Sequence, residues 1–192
     1  MKYPAAQWLP SPNYNRGRSE AIDLIVIHQT DGQARFDRAV EHLRNADTLR
    51  RVSAHFLIGQ AGDSESVSGG VSEIAQLVNT DDTAWHTSGW NKRSVGIEHI
   101  ARTPRELGQD DPGLPLAPQQ LSASAKLVAW LLRQYPAAKV VPHCSCPTTT
   151  HLDCGRDAQI GGIWPWSSYM EMIRQVSVEV PVSVKVNNAD SL

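Results

Sequence analysis

The chain has 192 residues and a mass of 21.1 kDa, enough for one sizeable hydrophobic core and short for two. Its 18 Lys and Arg against 20 Asp and Glu leave a net charge of -2, which gives no electrostatic footprint for nucleic acid or an anionic bilayer. Apolar residues at 41% with charged residues at 20% describe a globular composition, and no stretch approaches the roughly 20 apolar residues of a membrane span.

Residues 1–20 are rich in Pro, Asn and Arg, show neither helical nor strand period, and read as an extended N-terminal arm. The opening Met-Lys-Tyr-Pro-Ala-Ala-Gln-Trp lacks the apolar core of about 7–15 residues of a secretory signal, so none is expected. Ile22–Ile27 is a short β-branched run suited to a strand buried on both faces, with His28 at its C-terminal end. Phe36, Ala39, Val40 and Leu43 recur at helical spacing and predict an amphipathic helix ending near Asn45. Strands are expected at Ser53–Ile58, Glu73–Val78 and Ser94–Ile100, the last with Val95, Ile97 and His99 on one face and Gly96, Glu98 and Ile100 on the other.

Four prolines and several charges make 102–118 a long loop. Beyond it Leu121, Ala125, Val128 and Leu132 predict the clearest helix of the chain, from about Pro118 to Tyr135. Val140-Val141 reads as a short buried edge before His143, and a last helix is expected over Trp166–Gln175. From Val176 to Val186 valine occupies every even position, which predicts a strand. Pro181 confines that strand to a sheet edge or makes it a linker.

Seven histidines and three cysteines supply candidates for chemistry. Cys144, Cys146 and Cys154 fall within eleven residues, and their odd number excludes a closed disulfide framework. They leave open a Cys144–Cys154 or Cys146–Cys154 bridge, or a small structural zinc knot with His151, whose Cys-x-Cys spacing is tighter than usual. A hydrolytic zinc site takes three protein ligands and keeps a fourth position for water, and His with carboxylate suits that ion.

The succession Ile25-Val26-Ile27-His28, Ser53-Ala54-His55-Phe56, Ala84-Trp85-His86 with Asn91, Ser94-Val95-Gly96-Ile97-Glu98, then His143 and His151-Leu152-Asp153-Cys154-Gly155, resembles the type 2 N-acetylmuramoyl-L-alanine amidases. These are zinc hydrolases related to peptidoglycan recognition proteins, and the resemblance runs from about Ser11 to Trp166. It implies a single α/β domain with a central, mixed, mainly β sheet of about five or six strands flanked by helices and the zinc at the strand ends. The catalytic domain then spans 21–175, between the arm and the 176–192 tail. The resemblance further implies His28, His143 and Asp153 as Zn²⁺ ligands, Glu98 as general base, and His151 as donor to the developing oxyanion. His86, Trp85 and Asn91 fall to substrate binding, although His86 also suits a role in supporting the metal shell.

Two departures from the family pattern stand in the late loop. Cys154 occupies the place of a Pro, which lets its thiol compete with Asp153 for zinc, and His151 occupies that of a Lys. An insert at Arg156–Gly161 is a third. The implied partner is peptidoglycan, both glycan strand and stem peptide, met by a monomer that acts on the cell wall. A non-catalytic recognition module on the same fold is the rival reading, and the filled ligand positions argue against it. Glu98 could instead pair with Arg93 or Arg102. His55 reads as a hydrogen-bonded core residue, and His42 and His99 as structural. Trp85, Trp90, Trp164 and Trp166 divide between groove and core.

Overall fold

A computed structural model describes residues 1–30, 33–47, 51–60, 73–102, 114–148 and 164–179. Its centre is a six-stranded mixed sheet in the order β1-β5-β4-β7-β3-β8, formed by Gln7–Trp8 (β1), Leu24–Gln29 (β3), Phe56–Ile58 (β4), Ile74–Gln76 (β5), Ser94–His99 (β7) and Lys139–Pro142 (β8). Tyr14–Asn15 (β2) and Thr83–Ala84 (β6) make a separate antiparallel ribbon. The helices are α1 (Phe36–Arg44), α2 (Pro118–Gln134) and α3 (Trp166–Glu179). This is a single α/β domain, as the sequence predicts.

β3 is wholly buried, which its unbroken apolar run requires, and it lies between two parallel neighbours, β7 and β8. Strand alternation sends Ile25, Ile27, Val95 and Ile97 to one face, where they pack with Leu121, Val128 and Leu131 of α2 and Tyr169 and Ile173 of α3. Each such side chain contributes about 1.5–3 kcal/mol through burial. The other face receives α1, whose Phe36, Ala39, Val40 and Leu43 pack on Leu57, Ala75, Leu77 and Ile100, that is, on the β4–β5 half of the sheet. The core residues gathered under α1 include none from β3 or β8.

α2 opens on Pro118, tolerated in a first turn because its missing N–H has no helical partner there. Gln120 Nε2 then donates to the carbonyls of Ile58 and Ile100, at 2.9 and 3.1 Å, and ties the helix start to the ends of β4 and β7.

Three expectations change. The N-terminal arm is no bystander: Gln7–Trp8 pairs in parallel with β5, and Tyr14–Asn15 pairs with β6. The Val140-Val141 edge extends to a four-residue strand. Val176 and Val178, expected to begin an edge strand or linker, belong instead to the last turns of α3. Ile173 is buried and Val176 follows it by three residues on the same packed stripe, so the helical period absorbs Val176, and Val178 lies exposed in the last turn. The rest of the tail, 180–192, lies outside the described residues.

Candidate active site

Parallel pairing fixes the site. β3, β7 and β8 run side by side in one direction, with His28 in register with Glu98 and Ile27 with Pro142, so His143 follows at the level of His28. Their carboxyl ends therefore bring His28, Glu98 and His143 together, at the place where open α/β sheets bind ligands. His28 is 2% exposed and His143, in the short 3₁₀ turn His143–Ser145, is 8% exposed. The two imidazole centroids are 4.3 Å apart, and His28 Nδ1 stands 3.8 Å from Glu98 Oε1.

A third imidazole joins them. His86 presents Nδ1 to His28 Nε2 at 3.0 Å, with Thr87 Oγ1 at 3.0 Å from the first and 3.2 Å from the second. Its ring lies over Gly96 of β7, where an added Cβ would stand 2.5 Å from Nδ1, inside contact distance. Gly96 is thus required by close approach. Asn91 Oδ1 accepts the backbone N–H groups of His86 and Thr87, at 3.0 and 2.7 Å, and holds the loop that carries them. Burial, then the neighbouring His55, His143 and Arg18, hold the His86 pKa well below the ordinary histidine value, so the ring is neutral at pH 7.

On the opposite face of the sheet His99 fastens the strand itself. Its Nδ1 donates to the His28 carbonyl at 2.9 Å, which leaves Nε2 to accept from Ser124 Oγ at 2.7 Å, and Tyr169 Oη in turn donates to Ser124 at 2.6 Å. Burial lowers the His99 pKa to about 4. His55, fully buried, accepts the Gly96 N–H at Nδ1 and is likewise kept neutral by burial and by Arg18.

A cavity of about 140 Å³ opens beside this cluster, between the end of β3, α1 and the 85–86 loop. Glu98, His86, Trp85 and Ser53 line it, with His42 of α1 and Gln29. Trp85 Nε1 donates to Asn15 Oδ1 at 3.2 Å and its backbone N–H to Ser53 Oγ at 2.9 Å, which sets the indole on the rim.

A family model described as N-acetylmuramoyl-L-alanine amidase (Amidase_2) matches residues 18–156. The chain belongs to this amidase family. It is 24% identical over 184 residues to N-acetylmuramoyl-L-alanine amidase A of Achromobacter lyticus, covering 90% of this chain and 96% of that one. Among solved structures it resembles AmpDh3 of Pseudomonas aeruginosa in complex with anhydromuramic pentapeptide, with a TM-score of 0.60, 24% identity and 90% of this chain covered. It also resembles AmiD of E. coli in complex with the substrate anhydro-N-acetylmuramic acid-L-Ala-D-gamma-Glu-L-Lys, with a TM-score of 0.59, 22% identity and 82% covered. The chain spans 65% of the AmpDh3 chain and 60% of the AmiD chain, and at these identities the likeness is one of fold.

Within this amidase fold the structure gathers His28, Glu98, His143 and His86, and sets Trp85 on the adjoining cavity. Asn91 stands one step back, its carbonyl engaged by the loop backbone. His151, Asp153 and Cys154 lie outside the described residues. Cys146 is a buried thiol beside the Ser88 carbonyl and Thr148, not in a disulfide, and Arg93 is paired with Asp23, not with Glu98. Trp164 is core, stacked edge-on to His99 and Tyr169. Sequence reading gave no role to Thr87, nor to Ser94 and Gly96 within their motif, and read His42, which lines the cavity, as structural. Only Gly96 carried a signal, a glycine inside a strand, which marks a close approach.

Proposed function

We propose that the chain hydrolyses the amide between N-acetylmuramic acid and L-alanine in peptidoglycan, acting on the cell wall as a zinc-dependent monomer whose catalytic domain spans 21–175. The observation that carries this reading is the delivery of His28, Glu98 and His143 to one point by three adjacent parallel strands. Two imidazoles beside a carboxylate fit zinc in kind. Among the described residues no three His, Cys, Asp or Glu side chains form a metal-holding group, and the third donor in this proposal is Asp153.

His28 and His143 would hold the ion with Asp153. Zinc bound there supplies a water of lowered pKa and polarises the amide carbonyl. Glu98 takes a proton from the attacking water as the new C–O bond forms, then delivers it to the leaving nitrogen, on which the C–N bond breaks. The products are a lactyl carboxylate on the glycan and a free amine on L-alanine. His151 donates a hydrogen bond to the carbonyl oxygen as charge develops on it. Trp85, on the cavity rim, packs against the stem peptide or sugar, and Asn91 acts through the loop it holds.

Purified protein should carry about one zinc per chain, lose activity to a chelator and regain it with Zn²⁺. His28→Ala should lose both metal and activity. Full hydrolysis by metal-free protein would overturn the proposal, and binding of muropeptides without hydrolysis by zinc-loaded protein would replace it with a recognition role. No helix among the described residues is long and apolar enough to cross a membrane.

A further inference from the structure

Ser94 begins a proton arrangement that ends at the proposed metal. Its hydroxyl oxygen lies 2.7 Å from the Trp90 carbonyl, a separation that requires the hydroxyl to donate, and 3.0 Å from His86 Nε2. A hydroxyl has one proton. Having donated it to Trp90, Ser94 accepts from His86, which places the His86 proton on Nε2 and leaves Nδ1 as an acceptor.

That acceptor faces His28 Nε2 at 3.0 Å. Two lone pairs at this distance would repel, so the His28 proton sits on Nε2; Thr87 Oγ1, 3.2 Å from His28 Nε2 and 3.0 Å from His86 Nδ1, can then accept from the first and donate to the second. His28 Nδ1 then carries the lone pair, and it points to the side where Glu98 Oε1 stands 3.8 Å off. Metal-bound imidazoles commonly donate their second N–H to such a partner, which fixes the tautomer and the ring orientation.

We infer that His86 is a positioning residue: held over Gly96 and fixed in tautomer by Ser94, it takes the Nε2 proton of His28 in a hydrogen bond and so presents His28 Nδ1 to zinc. This rests on the assignment of His28 as a ligand made above. It decides between the two roles the sequence leaves open for His86, in favour of supporting the metal shell. Gly96 belongs to the device, since any side chain there would occupy the His86 ring position.

Two kinds of measurement test it. Long-range ¹H–¹⁵N spectra of the histidine side chains in metal-free, full-length wild type, assigned with His28→Ala, should show both His28 and His86 protonated at Nε2. A proton on Nδ1 of either ring overturns the inference. Zinc affinity by chelator competition should fall about 10–100-fold in His86→Leu, the usual effect of losing such a partner. His86→Asn, whose Oδ1 can replace the Nδ1 acceptor, should recover much of the loss, and Gly96→Ala should weaken zinc although His86 remains. Wild-type affinity in His86→Leu overturns the inference while the ligand assignment stands. Undiminished zinc binding in His28→Ala overturns the ligand assignment itself, whatever the tautomers show. If His86→Leu does not fold, the wild-type spectra and His86→Asn still decide.

Discussion

Acidification should weaken the fold through His99, and the structure sets the size of the effect. The ring is fully buried, with its Nδ1–H on the His28 carbonyl and its Nε2 accepting from Ser124. Protonation would bury a charge and turn an acceptor into a donor facing a hydroxyl that already donates. Burial therefore lowers the pKa from 6.5 to about 4, against the opposing pull of the His28 and Ile97 carbonyls. Between those values the unfolded chain binds a proton that the folded chain refuses. The stability tied to His99 is thus complete above pH 6.5 and is lost as pH falls toward about 4, at up to about 1.4 kcal/mol per pH unit and about 3 kcal/mol in all. Urea denaturation of wild type and His99→Gln, in metal-free protein from neutral pH down to about 4.5, should show the wild-type advantage shrinking along that slope. His55 and His86 shift in the same direction in both proteins and cancel in the comparison. Stability curves that stay parallel would refute the buried, neutral assignment of His99.

Glu98→Gln should keep zinc and fold while losing about 10²–10⁴ in hydrolysis rate, since it removes proton transfer and leaves the shape. Loss of the metal in that variant would make Glu98 a ligand. Asp153→Ala should lose zinc, whereas Cys154→Pro, which restores a φ-fixed turn residue, should retain zinc and most activity. Reversed results would make the site a two-His, one-Cys centre.

How much the sequence reveals depends on how local the cause is. The apolar runs at β3 and β7 are local, and so is strand alternation, which is why the sequence alone assigns His99 and Glu98 to opposite faces. His28 and Glu98 can be named because the family motifs that carry them, at the end of β3 and within β7, are legible in the sequence, yet their pairing requires the parallel register of two strands about seventy residues apart. β1, β2 and β6 have two residues each, too few to show a period, and only their partners make them strands. The valine alternation misleads at 176 because a residue three positions after Ile173 also continues a helical stripe, and at 178 because the helix runs on to Glu179 with that valine exposed. The role of Ser94 is invisible in the sequence for another reason. It depends on where one hydroxyl proton goes, and that is set by a carbonyl and an imidazole brought in by the fold.

The most direct test is mass spectrometry of the products that zinc-loaded protein releases from purified sacculi. Amide hydrolysis predicts intact stem peptides with a free L-alanine amine, leaving glycan whose lactyl groups end in carboxylates. Cuts within the peptide or between sugars, or no release from a zinc-loaded and folded protein, would contradict it.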